Sequence, residues 1–265
     1  YLGFNMESGF FRYANHRAAM NYIVNRSQIV TSICGGCATA ATLPASPLFS
    51  LYNSAYAQSF DYSQEKCLQV LENAGIKDMD GDGMLEYLLA SVPTKISLVF
   101  LVNGDNAVKV ASARMIAGAL EDIGITVIMH ELSWSSYKDA LDKGKYDLYY
   151  GEVKMTPDFD PSCILREGGS AKIGGFTDPN YETYITNYKT ASDADRQMHA
   201  DLMWQYIVST APIVTICFEK MEVITHRNVV SGMAPTQENI FYKFPNWTID
   251  LSGEGAAGAM TQSGK

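Results

Sequence analysis

The residues able to do chemistry in this sequence fall into four groups. The first is the loop Gly151, Glu152, Val153, Lys154, Met155 to Asp158 and Asp160, which follows the strand-like stretch Tyr146-Asp147-Leu148-Tyr149-Tyr150. An ammonium and several carboxylates past a strand end can hold a charged ligand, since open α/β sheets bind ligands beyond the carboxyl ends of their strands. Trp134 joins this group as an aromatic that could line a cleft. The second is Asp78-x-Asp80-x-Asp82-Gly83, the first half of a calcium loop, with Glu86 at its ninth position. The twelfth position should be a bidentate Glu and is Leu89, which favours an Asp/Gly turn with solvated carboxylates over a metal site. The third is Cys34-x-x-Cys37. It follows a helical stretch instead of a strand, so a local disulfide or two plain thiols is the better reading than redox catalysis, and no second Cys/His pair completes a zinc set. The fourth is the set of histidines, His16, His130, His199 and His226. No Ser or Cys lies in a nucleophile-elbow context, so nothing here calls for an enzyme.

These groups need elements to position them. Residues 125–132 read as a buried strand, and Ser135 as the cap of a short helix with Tyr137, Ala140 and Leu141 inward and Gly144 as its stop. Residues 146–153 form the next strand. Upstream, 96–102 is a strand and 106–122 a helix with the stripe Val108, Ala111, Met115, Ala119, Leu120 and Ile123. With 125–132 this makes a parallel β-α-β unit. Residues 1–5 form a strand and 11–30 a helical stretch that Asn25-Arg26-Ser27 interrupts. Asp61 or Ser63 caps a helix with Cys67, Leu68, Leu71 and Ala74 inward. Later helices start at Asp178-Pro179 and at Ser192 or Asp193. Strands at 213–218 and 221–226 flank a Glu219-Lys220 turn, and the Gly/Ala/Ser-rich tail 251–265 reads as disordered.

Composition sets outer limits. The chain has 265 residues, 47% of them apolar, so it can bury a substantial core. A net charge of −9 and the lack of a basic run argue against a nucleic-acid partner. The longest apolar run, 96–102, is too short to span a bilayer. Nucleotide-cradling glycine motifs are missing. The sequence opens on Tyr1 already in strand pattern, so the expectation is a removed leader or a piece of a longer protein.

The motifs taken in order resemble a known family. They are YLGFN at the start, RAAMNYIVNRSQIV, ATLPASPLF, NAGIKDMDGDGMLE, the β-α-β ending in IGITV, W-x-x-Y-x-x-x-L-x-x-G-x-Y-D-L from Trp134, the DFDP loop and API-x-x-I. The chain is similar to the extracytoplasmic solute-binding proteins of ABC transporters that carry dipeptides, oligopeptides or nickel. This resemblance implies a periplasmic-binding-protein-like type II lobe, an α/β fold with a mixed sheet flanked by helices. It implies that residues 1–250 are the C-terminal lobe of a bilobal protein, with 1–8 near the hinge and an N-terminal lobe as partner. It implies binding of a peptide for delivery to ABC permease subunits, without catalysis, by a protein held outside the cytoplasm as a lipoprotein. The alternatives are a nickel-complex or other small-solute binder and, from another class, a secreted hydrolase or sensor domain reusing this lobe. By the resemblance the ligand backbone pairs with Gly151 to Val153 and Trp134 lines the cleft. The position where the family's amine-anchoring Asp is expected falls on Met155, beside Lys154, with Asp158 and Asp160 the nearest carboxylates. No cofactor is implied, calcium at Asp78, Asp80, Asp82 and Glu86 aside.

Overall fold

Alternation along one strand sets the centre of the fold. In the run Leu98-Val99-Phe100-Leu101-Val102, the odd and even residues point to opposite sides of a sheet, as a period of two requires. Leu98, Phe100 and Val102 enter one hydrophobic cluster, while Val99 and Leu101 meet another built from Tyr137, Leu141, Tyr146 and Tyr149. In this computed structural model, residues 1–175, 178–221, 223–225, 229–236 and 239–251 are described.

The elements run β1 (Leu2–Phe4), α1 (Ala14–Ile23), α2 (Arg26–Gln28), β2 (Ala38–Ala40), α3 (Ser54–Gln58), α4 (Gln64–Asn73), β3 (Glu86–Leu89), β4 (Val92–Lys95), β5 (Ser97–Asn103), α5 (Ala107–Asp122), β6 (Thr126–Leu132), α6 (Trp134–Asp142), β7 (Leu148–Tyr150), α7 (Ser162–Leu165), α8 (Pro179–Thr190), α9 (Arg196–Thr210), β8 (Ile213–Val214) and β9 (Cys217–Glu219). The main sheet has the order β6-β5-β7-β1-β8. β5 is parallel to β6 and β7, whereas β1 is antiparallel to both β7 and β8, so the sheet is mixed. Gly3 is required at the centre of β1, because a Cβ there would fall inside the ring of Tyr149 on the neighbouring strand.

The largest cluster packs α1, α4 and α5 on one face of the sheet, with Leu2, Phe4, Phe100, Leu148 and Val214 from the strands. A second cluster joins α8 and α9 to the 41–60 meander around Trp204, Tyr181 and Met203. The chain divides into two units, Tyr1–Glu219 and Lys220–Lys265. In the second, β10 (Val230–Ser231) pairs antiparallel with β11 (Thr248–Ile249), and Phe241, Phe244 and Trp247 form an aromatic cluster.

Several local expectations are corrected. Among the described residues β6 is an edge strand of the sheet, and Thr126, Ile128, His130 and Glu131 on it are exposed instead of buried. Ser133, not Ser135, caps α6, so Trp134 opens the helix. α5 buries Val110, Ala113, Ile116, Ala117 and Leu120, while Val108 is 44% exposed. Its many alanines make two helical lines nearly equal in hydropathy, and contact with the sheet selects one. Leu68 of α4 is 37% exposed for the same reason of helix rotation. Asp195 rather than Ser192 or Asp193 stands at the N-cap of α9. The strand expected at 213–218 is split: β8 joins the main sheet, and β9 pairs with β2. Met221 and residues 223–225 are outside any strand, and Glu222 and His226 lie outside the described residues, as does the tail beyond Leu251.

Candidate functional site

Three loops meet at the carboxyl ends of the parallel strands β5, β6 and β7. Gly104 N donates to Leu132 O at 2.7 Å, tying the β5 exit to the β6 exit. The Asp105 carboxylate accepts from Trp134 N at 2.8 Å at the start of α6. Lys109, in the first turn of α5, forms an ion pair with Glu152 in the β7 exit loop. Trp134 is 51% exposed. Its ring stacks on Tyr137 with centroids 5.8 Å apart, and the Lys138 ammonium lies 5.4 Å from its centroid. An exposed indole fixed by a helix start and a stacked tyrosine is a rigid aromatic wall.

Tyr137 carries the connection inward. Its hydroxyl donates to Tyr150 O at 2.8 Å, and burial raises its pKa far above the usual phenol value, so it stays a donor. Tyr1 and Gly151 extend the β1–β7 ladder, with Gly151 N donating to Tyr1 O at 2.8 Å and Tyr1 N to Gly151 O at 3.0 Å. A Cβ at Gly151 would come 2.5 Å from the Tyr1 ring, so any side chain there requires that ring to move.

After Gly151 the ladder stops. Among the described residues, the backbone groups of Glu152, Val153, Lys154 and Met155 make no intramolecular hydrogen bond. Glu152 and Lys154 are exposed and Val153 is half-buried. Met155 turns inward into the cluster around Trp204, so the residue standing where the resemblance expects an acid serves the core. Asp158 is exposed, and its main chain is anchored by Tyr188, whose hydroxyl donates to Asp158 O at 2.5 Å. Phe159 adopts φ 52° and packs its ring against Phe49 and Phe218. Asp160 is 8% exposed and its oxygens are engaged by Lys189 Nζ at 2.6 Å and by the Ser162 hydroxyl and N–H. Burial pushes the Asp160 carboxyl up, but these donors outweigh it and hold it below the usual carboxylate range. Of the two carboxylates, Asp158 faces solvent and Asp160 is part of the scaffold.

The other candidates lie elsewhere. Asp78, Asp80 and Asp82 lie in the loop between α4 and β3 and Glu86 opens β3, beside the turn that leads into β6. Cys34 and Cys37 are free thiols in the turn after a π-helical segment, Ile29–Ile33. His16 is buried, with Nδ1 2.7 Å from Phe10 O. His130 and His199 lie on β6 and α9. Asp105 and Lys109 belong to the strand-end constellation, and sequence reasoning does not single them out. The signal for them is the Asn103-Gly104-Asp105-Asn106 turn, which reads only as a connection until the loop after β7 is placed beside it.

A mixed sheet flanked by helices, with loops gathered at the ends of its parallel strands, is the periplasmic-binding-protein-like type II fold. The profile of Bacterial extracellular solute-binding proteins, family 5 Middle matches residues 1–168, and the chain belongs to this family. The curated oligopeptide-binding protein AppA of Bacillus subtilis (strain 168) is 29% identical over 148 residues, which are 56% of this chain and 26% of that protein. The solved structure of AppA from Bacillus subtilis in complex with a nonapeptide superposes with a TM-score of 0.71 at 21% identity, covering 94% of this chain and 50% of the other. NikZ from Campylobacter jejuni, in complex with Ni(L-His), gives a TM-score of 0.70 at 15% identity, covering 93% and 51%. The chain thus spans about half the length of these solved relatives.

Proposed function

We propose that the chain forms one wall of the ligand cleft of an ABC importer's solute-binding protein and that its ligand is a peptide. The observation carrying this reading is the main chain of 152–155 at the carboxyl end of β7, which makes no hydrogen bond among the described residues. A peptide that adds as a strand gains main-chain hydrogen bonds with little demand on its sequence. This reading assigns Trp134 as an aromatic face of the cleft and the exposed Asp158 as the carboxylate that receives a peptide amine. AppA is an oligopeptide-binding protein, which supports the same class. The nickel-complex alternative finds less support, since the stretch 151–161 holds no His or Cys to serve as a metal donor.

In this reading a second lobe supplies the opposing wall, residues 1–8 lie near the hinge, and closure around the ligand presents the protein to its permease. The protein works outside the cytoplasm, anchored as a lipoprotein, and has no catalytic step. With one wall present, affinity is weak, on the order of millimolar. Titrating the 15N-labelled chain with short peptides of mixed sequence tests this. Amide shifts should move at Glu152 to Met155 together with the Trp134 indole, and Trp134→Ala should weaken binding about tenfold. If millimolar peptide moves only residues elsewhere, the reading fails.

A further inference from the structure

We infer that Asp78, Asp80, Asp82 and Glu86 form a calcium site that clamps the amino end of the parallel strands. One carboxylate oxygen from each of the four lies within 4.8 Å of the others. Alternate spacing of the aspartates, with Gly81 at φ 83° and Gly83 at φ 87°, wraps the chain so that the carboxylates converge. Backbone amides fix the loop from within: Gly81 N and Gly83 N donate to Asp78 at 2.6 and 2.8 Å, Asp82 N to Asp80 at 3.2 Å, and Met84 N to Asp82 at 3.0 Å. A carboxylate has more lone pairs than these donors use, so the convergent oxygens keep capacity for a cation.

Glu86 supplies an independent observation. It is 2% exposed, and its Oε2 accepts from Met79 N at 2.8 Å, while its Oε1 is buried with no hydrogen-bond partner among the described residues. A buried carboxylate oxygen left bare is costly, and such a group is ordinarily paired or bound to a metal. Lys95 answers part of the charge, bonding Asp82 and lying 3.9 Å from Asp80. Its side chain is half exposed, and one ammonium stands against four carboxylates. The donor set is oxygen only, which selects a hard cation, and its crowding of carboxylates suits calcium better than the strict octahedron and retained waters of magnesium. With Leu89 where a bidentate Glu would strengthen binding, the dissociation constant should be on the order of 10⁻⁴ to 10⁻³ M, the range of extracellular modules.

The site's place gives it a structural role. Leu85 N donates to Gly124 O at 2.8 Å, just before β6, and Ile96 N donates to Leu85 O at 3.0 Å, just before β5. A cation here ties the entries of both strands, at the opposite end from the candidate ligand loops. The test is thermal unfolding of the full chain, stripped with chelator and then titrated with calcium or magnesium at matched ionic strength. Calcium near 10 mM should raise Tm by about 3–8 °C in a saturable way, and magnesium by much less. Asp80→Asn, at an exposed carboxylate, should fold and lose the shift, as should Glu86→Gln. Lys95→Met should keep it and reach half-saturation at roughly threefold less calcium. An unchanged wild-type Tm, an equal rise with magnesium, or a full shift in Asp80→Asn would each overturn the assignment.

Discussion

Asp160 and Met155 lie five positions apart in one loop and show how a residue's role depends on what reaches it. Met155 fills the cluster around Trp204, whereas Asp160 is buried but answered by Lys189 and Ser162. Because the Asp160 carboxyl is held below its ordinary value, the unfolded chain binds a proton more readily than the folded one. The stability it contributes is therefore present above about pH 4 and is lost as pH falls through the folded-state value. Asp160→Asn should reduce stability by about 1–2 kcal/mol at neutral pH and flatten the acid limb of the stability curve, as read by urea unfolding from pH 3 to 7. An acid limb identical to wild type would remove Asp160 from that role.

At the scale of elements, buried arginines join what the chain order keeps apart. Arg17 of α1 is 5% exposed and donates to Phe11 O at 2.7 Å, Thr210 O at 2.8 Å and Ala211 O at 3.1 Å. It thus satisfies the last carbonyls of α9, where Ala211 takes φ 43°, and its positive charge complements the negative end of that helix. Arg26 does similar work, donating to Thr215 O at 2.8 Å and Asn21 O at 2.9 Å; burial lowers its pKa to about 10, which still leaves it charged at neutral pH. Arg17→Met should cost about 3 kcal/mol, because several carbonyls lose their donor inside the core. Arg17→Lys should recover less than half of this, since one ammonium cannot span the same fork. Denaturant midpoints with unchanged m-values would measure both.

Across the whole molecule, the two candidate sites occupy opposite ends of the same parallel strands. The 152–155 loop follows the carboxyl end of β7, and the acidic loop is hydrogen-bonded to the entries of β5 and β6. Sites so separated, with no shared side chain, should act additively. Saturating calcium should therefore raise Tm yet leave the peptide dissociation constant unchanged within about twofold, measured by the same amide titration in the two buffers. A larger change would mean that order at the strand entries reaches the ligand loops. Loss of peptide binding with the calcium shift intact would count against the cleft reading alone.

Much of the fold is legible along the chain, and the reason is locality. Asn106 and Asp178 cap their helices through side chains that accept amides two or three residues ahead, so sequence alone locates those starts, and it narrows the α4 cap to Asp61 or Ser63, of which the structure uses Ser63. The run 96–102, the break at Asn25 and the Asp/Gly turn are read from neighbours in the same way, and the ordered motifs lead to the family. The rest depends on partners distant in sequence. Only the assembled sheet puts β1 between β7 and β8 and sends β9 to β2. Packing alone chooses the buried face of α5, and Lys189, 29 residues away, makes Asp160 part of the scaffold. The sequence determined where some helices begin, those at Asn106 and Asp178 but not α6 or α9, and which chemistry was on offer. Tertiary structure decided which groups remained unpaired, because pairing depends on what lies across the sheet rather than along the chain.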